Sequence, residues 1–282
     1  MAIALSHDGR TLWTADPTAA AITALRVRDG RKRHSIMLPD APIDLALTPD
    51  GRRALVLIGF YARPALAIVD LAARKLLKRI DVGKAACSIV LAGDGRTAYV
   101  TGGADRGWLR HVDTFTGAVG PALDIGHSPR GLALTADGRH ILVALNGEAA
   151  VAVVAREAER VVRRISTSPF PSQIAAAPRG DRAVVSHDGF GATEVSFLDL
   201  GTMRVARTAK TGLDPAGVAY AGARTVVVSE RGQGTVAILD AHTGRRRRRV
   251  TTAGWPNAVA IAGRRALVVD EQTGRLSSLG VR

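Results

Sequence analysis

Apolar residues along this chain come in short runs broken by Gly, Asp and Pro, and the runs recur at a near-constant spacing. The second copy is the most legible. Ile43 to Thr48 reads as a strand, Pro49-Asp50-Gly51 as a turn, Arg53 to Ile58 as a second strand, Ala65 to Val69 as a third and Leu76 to Val82 as a fourth. Asp-Gly between apolar runs is a hairpin signal, because Gly takes a positive φ without steric cost while Asp bonds its own backbone. The corresponding glycine falls at Gly9, Gly51, Gly95, Gly138, Gly180, Gly222 and Gly263, so successive copies stand 41 to 44 residues apart. Seven strand-rich copies of that period predict an all-β fold: a seven-bladed β-propeller of four-stranded antiparallel blades, in one domain spanning 1–282.

Other punctuation agrees with this division. The third strand of a copy ends on an acidic residue at Asp70, Asp113, Asp199 and Asp240, and the first strand is entered through Pro42, Pro129, Pro171, Pro215 and Pro256. Proline is tolerated there because the first residue of a strand needs no ladder donor. Met1 falls where the first strand of copy one should begin, and Arg282 where the third strand of copy seven should stop. One outer strand is therefore missing. Either the last blade has three strands, or the recorded start lies downstream of the true one. As written the chain reads as cytoplasmic; an incomplete N-terminus would allow a periplasmic or secreted location.

The segment Tyr99-Val100-Thr101-Gly102, the Asp-Gly-Arg turns before the second strands, and the entry Gly126-His127-Ser128-Pro129-Arg130-Gly131-Leu132-Ala133 resemble the YVTN family of β-propeller repeats. The resemblance covers essentially the whole chain. It implies the propeller fold but spreads over several functions, from surface-layer and periplasmic binding proteins to lactonase-like enzymes and dehydrogenase subunits. Arg179-Gly180-Asp181 departs from Asp-Gly-Arg, so the last three copies align less closely.

Composition narrows the chemistry. Hydrophobic residues make up 46% of the chain but aromatics only 4%, so Val, Leu, Ile and Ala must fill the core. The lone Cys87 excludes an internal disulfide and a zinc site of several thiolates. No run reaches the ~18 uninterrupted apolar residues of a membrane helix; Ala54 to Val69 is broken by Arg63 and Pro64. The formal charge of +14 biases the chain towards anionic partners.

Propeller topology sorts the candidates by face. The connections that follow second and fourth strands share one end of the blades. They carry Asp16, Asp105, Glu148, Asp188, Glu230, Asp270 and Glu271, with Phe60 and Tyr61 in copy two. His127, Arg130 and Asn257 line the entry loops, and Trp108, Phe170 and Trp255 fall on the same face. The opposite turns carry basic residues, among them Arg10, Arg52, Arg53, Arg96, Arg139 and Arg179. Hard cations need six or more converging oxygens, which a ring spread over seven blades does not promise, so no metal and no cofactor is expected. Ser-His-Asp-Gly occurs at Ser6 to Gly9 and at Ser186 to Gly189. Consecutive residues of a strand point to opposite sides, so neither copy forms a catalytic triad, although His187 with Asp188 stays a binding candidate. Cys87 reads as a small apolar filler.

These residues predict a non-catalytic, monomeric scaffold that presents loops on one face to a protein or a small polar ligand, and no catalytic residue is assigned. The binding candidates are Asp16, Tyr61, Asp105, Trp108, His127, Arg130, Glu148, His187, Asp188, Glu230, Trp255, Asn257 and Asp270. Two alternatives stay open. One is a lactonase-like hydrolase at the channel mouth using Glu148, Asp188 or Glu230 with His127 or His187. The other is nucleic-acid binding through the basic face, which is weakened because stacking aromatics fall on the acidic side.

Overall fold

The computed structural model describes residues 2–59, 64–189, 191–252 and 254–281. Seven antiparallel sheets follow one another along the described chain, six of four strands and the last of three. In each, the strands, labelled A to D and A to C in the last, are neighbours in chain order, so every connection within a blade is a hairpin. The fold is all-β, a seven-bladed β-propeller with one sheet per blade, and the seventh blade has three strands, one of the two arrangements the sequence allowed. In blade 2 the strands are Pro42–Leu47, Arg53–Ile58, Ala65–Asp70 and Lys75–Asp81, each within a residue or two of its predicted bounds. By packing, the chain divides into two units, Met1–Pro129 and Arg130–Arg282. The first holds blades 1 to 3 and the second blades 4 to 7.

Burial explains why the strands read as they do. Strands B and C are covered on both faces and are nearly continuous apolar runs, as in Ile141 to Leu145, all buried. Strand D lies at the sheet edge and turns only alternate residues inward, so Arg160–Ser166 buries Ile165 and exposes Arg160, Arg163 and Arg164. The apolar clusters lie between blades. Leu55, Leu57 and Ile68 of blade 2 pack on Ile89, Val100 and Val112 of blade 3, and in the second unit Val184 and Phe197 of blade 5 pack on Val226 and Leu239 of blade 6. A buried Val, Leu or Phe contributes roughly 1.5–3 kcal/mol relative to an exposed one, and here each depends on the next blade.

All seven repeat glycines in the A to B turns take positive φ, from 59° at Gly263 to 81° at Gly180. The divergent copies therefore fold like the clear ones. In the sharpest turns a Ser or Thr hydroxyl and a backbone N–H both donate to the turn aspartate: Thr48 Oγ1 and Arg52 N to Asp50 Oδ1, at 2.5 and 3.0 Å.

One backbone contact positions the loop end of each unit. The residue just after strand B donates its N–H to the carbonyl of the residue just before strand A. The pairs are Gly59 to Ala41 and Gly103 to Ala85 in the first unit, then Asp188 to Phe170, Arg231 to Asp214 and Glu271 to Trp255 in the second, all at 2.9–3.0 Å. Whatever side chain follows strand B is thereby held beside the entry to the innermost strand.

Candidate functional site

The loop end of the second unit collects a charged group from three blades. Asp188, Arg231 and Glu271 each follow strand B in blades 5, 6 and 7, and the backbone contact above brings each to the same level. The Arg231 guanidinium ion-pairs with Asp188 Oδ1 and lies 3.8 Å from Glu271 Oε2. Asn257, the second residue of strand A in blade 7, donates from Nδ2 to Glu271 Oε2 at 2.7 Å. Burial pushes the Asp188 carboxyl above its usual range; Arg231 and Arg130 pull it down, Asp214 and Glu271 push it up, and the net is upward. Asp214 has a buried Oδ1 with no hydrogen-bond partner among the described residues. Its backbone sits at φ 50°, just before Pro215.

Around this group stand apolar side chains. Phe170 is 50% exposed, Leu213 41% and Trp255 52%. Phe170 and Trp255 directly precede the prolines that open strand A in blades 5 and 7, and Leu213 stands one residue further back in blade 6. The ring of Phe170 lies over Gly189, where a Cβ would come within 2.3 Å of its Cδ2. The aromatic therefore rests directly on the loop that carries Asp188.

Other predicted residues point elsewhere. Glu148 accepts from Arg164 Nε at 3.2 Å, towards outer strand D of its own blade. Glu230, the last residue of strand B in blade 6, has a fully buried side chain held by Arg249 Nε at 2.8 Å, Gly212 N at 2.6 Å and Thr235 Oγ1. His187 is buried, and both ring nitrogens are engaged, by the Pro169 carbonyl at 3.0 Å and Ser196 Oγ at 2.8 Å. Burial holds its imidazole below the usual pKa, so it is neutral, with Nδ1–H donating to Pro169 and Nε2 accepting from Ser196. Asp270 is buried and spends Oδ1 on Thr273, from N at 2.7 Å and Oγ1 at 2.6 Å. These carboxylates and the imidazole hold loops together, and they do not converge with Asp188.

In the first unit the same end is chemically thin. Asp16 caps its own turn through Ala19 N at 2.9 Å. Asp105 is exposed in a turn. Trp108, half-buried, packs over Gly102, whose Cβ would lie 2.3 Å from its ring, and under Arg110 at 5.4 Å. His127 is exposed. Tyr61, with Phe60, lies outside the described residues. Cys87 is half-buried, with Sγ donating to the Pro129 carbonyl at 3.1 Å. At the opposite, turn end of this unit a cavity of about 360 Å³ opens between blades 2 and 3, lined by Asp50, Arg52, Arg53, Asp94 and Phe115, with Arg53 stacked on Phe115 at 5.5 Å.

The sequence reading missed Arg231 and Asp214. A signal was present: Arg231 follows its strand B as Asp188 and Glu271 follow theirs.

No protein-family model matches the sequence, and no curated protein does. Among solved structures, the chain is similar to Kuenenia stuttgartiensis hydrazine synthase, at 19% identity and a TM-score of 0.87, covering 99% of this chain and 94% of that one. It is also similar to the β-propeller domain of Cps50 (Swd1) from Myceliophteria thermophila, at 12% identity and a TM-score of 0.83, covering 100% and 96%. At these identities the likeness shows the seven-bladed propeller and nothing about activity. Among the described residues no helix is long and apolar enough to cross a membrane.

Proposed function

We propose that this protein is a binding scaffold of YVTN-type repeats that receives a protein segment on the loop end of blades 5 to 7. The observation that carries this is the recurrence of exposed apolar side chains, Phe170, Leu213 and Trp255, at the strand A entry of three successive blades around the Asp188–Arg231–Glu271 group. Protein-binding hot spots have this composition: large apolar or aromatic anchors beside charges that fix orientation. The unpartnered oxygen of Asp214 and the partly compensated Asp188 favour a segment with a basic or amide side chain between its apolar contacts.

Selection of peptides from a displayed library against the folded protein tests this. Peptides so obtained bind Trp255→Ala and Phe170→Ala at least tenfold more weakly than the unaltered chain, the scale of an interface anchor. Selected peptides whose affinity is indifferent to both substitutions would remove the reading.

A further inference from the structure

The outer edges of the second unit carry a charge pattern that the loop-end site does not use. The outermost strands of blades 4, 5 and 6 are Arg160–Ser166, Arg204–Lys210 and Arg246–Thr251. They hold three, three and four basic side chains, and not one acidic residue. Four of these bases are paired with carboxylates of their own blade: Arg164 with Glu148, Lys210 with Glu194, Arg247 with Asp240 and Arg249 with Glu230. The other six, Arg160, Arg163, Arg204, Arg207, Arg246 and Arg248, form no ion pair among the described residues. All are exposed except Arg207, which is half-buried.

The strip is continuous. The outer strands of blades 4 and 5 are packed together. A Cβ on Gly244, in the turn that leads into the outer strand of blade 6, would lie 3.4 Å from Arg207 Cδ and 3.1 Å from Ala209 Cβ of blade 5.

Protecting an open edge from strand pairing does not explain this. An edge is most often blunted with lysine, whereas nine of these ten bases are arginine, and like charges held close together repel. The outer strand of blade 3, Leu123–Gly126, has the same exposed position with one acidic residue and no base. An external anion would relieve the repulsion among the six unpaired guanidinium groups. All six unpaired bases are arginine, whose planar fork matches phosphate oxygens in pairs.

We infer that this strip binds the phosphate backbone of duplex nucleic acid, without reading sequence. Single strands are held by base stacking on aromatic rings, and none of the three strands contains an aromatic residue. Interfacial membrane binding needs an apolar face to bury, and no exposed large hydrophobic residue lies on them. Backbone contact by guanidinium groups alone suits a duplex, whose phosphates are outside and whose bases are not needed.

The test is fluorescence anisotropy with a short random-sequence DNA duplex across a salt series. Six phosphate contacts give a log K against log salt slope of about −5 and a loss of affinity of about a thousandfold between 50 and 200 mM salt. Arg246→Ser with Arg248→Ser flattens that slope by about two. Arg139→Ser with Arg179→Ser, an equal loss of charge on exposed turns, leaves it within one. Thermal melts of both variants show that the fold is kept. Equal effects of the two double variants would overturn the strip as the site. Tighter binding of a single strand of the same length, or of phosphatidylserine vesicles, would overturn the duplex as its occupant, as would no binding at low salt.

Discussion

The two units are built from the same repeat, yet they spend the position after strand B differently. In blades 1 to 3 that position holds Pro17, Gly59 and Gly103; in blades 4 to 7 it holds Asn146, Asp188, Arg231 and Glu271. The backbone contact that fixes it in blades 2 and 3 recurs in blades 5, 6 and 7, so there the scaffold sets where a side chain goes and the sequence decides whether one is present. The outer strands differ likewise. Those of blades 4 to 6 hold ten bases and no acid, whereas in the first unit Lys32–Met37 holds two bases and Asp81 and Asp124 interrupt the outer strands of blades 2 and 3. One repeat geometry thus carries different side chains at its loop end and outer edge in the two units.

The sharpest way to break this comparison is at the last residue of strand B, one position earlier. Asp16 and Glu230 are register equivalents. Asp16 is half-exposed and, among the described residues, bonds within its turn, whereas the Glu230 side chain is fully buried and joins Gly212, Thr235 and Arg249. Removing a buried, multiply bonded charge costs about 3 kcal/mol or more because its partners are left unpaired, while loss of an exposed turn cap costs about 1 kcal/mol or less. Urea unfolding is therefore expected to show Glu230→Ala destabilised by at least about 2 kcal/mol more than Asp16→Ala. Equal costs would mean that the second unit's acids are surface residues like those of the first.

A pH series sharpens the contrast with opposite signs. The Asp113 carboxyl in the first unit is held down at about 2 by the Thr116 N–H, the Arg96 side chain and the Phe115 N–H. A depressed folded pKa contributes stability that is present above the unfolded value of ~3.9 and lost as pH falls towards about 2. Asp188 is shifted upward, chiefly by burial. Its ionisation opposes folding, so its contribution is complete below ~3.9 and is lost as pH rises through the raised folded value. Asp113→Asn should reduce the loss of stability as pH falls below ~3.9, and Asp188→Asn the loss as pH rises above it. Melting temperatures from pH 2 to 7 check both; the same direction of change in both variants would contradict the assignment.

The sequence carried the fold almost whole, and for a physical reason. Asp-Gly turns and strand-entry prolines are local devices, and each acts where it is written: all five prolines open a strand A. The site was legible only in part. Asp188 and Asn257 were found because topology alone puts them at the loop end. Glu148 and Glu230 belong to the same end by topology, but their side chains run outward to strand D, a direction that spacing along the chain does not encode. Arg231 was not legible from charge, because what it shares with Asp188 and Glu271 is its register after strand B.

The smallest effect concerns the C to D turns, where both units share one backbone solution with different residues. The residue that closes this turn takes positive φ as Gly30, Gly117 and Gly244, but also as Arg74 at 55°, Glu159 at 46° and Met203 at 53°. A side chain in the left-handed region costs roughly 1–2 kcal/mol, against roughly 0.5–1 kcal/mol of extra chain entropy lost by a glycine on folding. The balance favours glycine by about 0.5 kcal/mol. Arg74→Gly in the first unit is expected to stabilise by that amount, because Arg74 is exposed and gives up little packing. Met203→Gly in the second unit should gain nothing, because Met203 is packed against the Leu142–Leu198 cluster and its removal takes buried area with it. Denaturant midpoints for the two variants decide the point: a gain in both would mean that turn strain alone governs this position, and a loss in both would mean that its side chains are held by contacts in either unit.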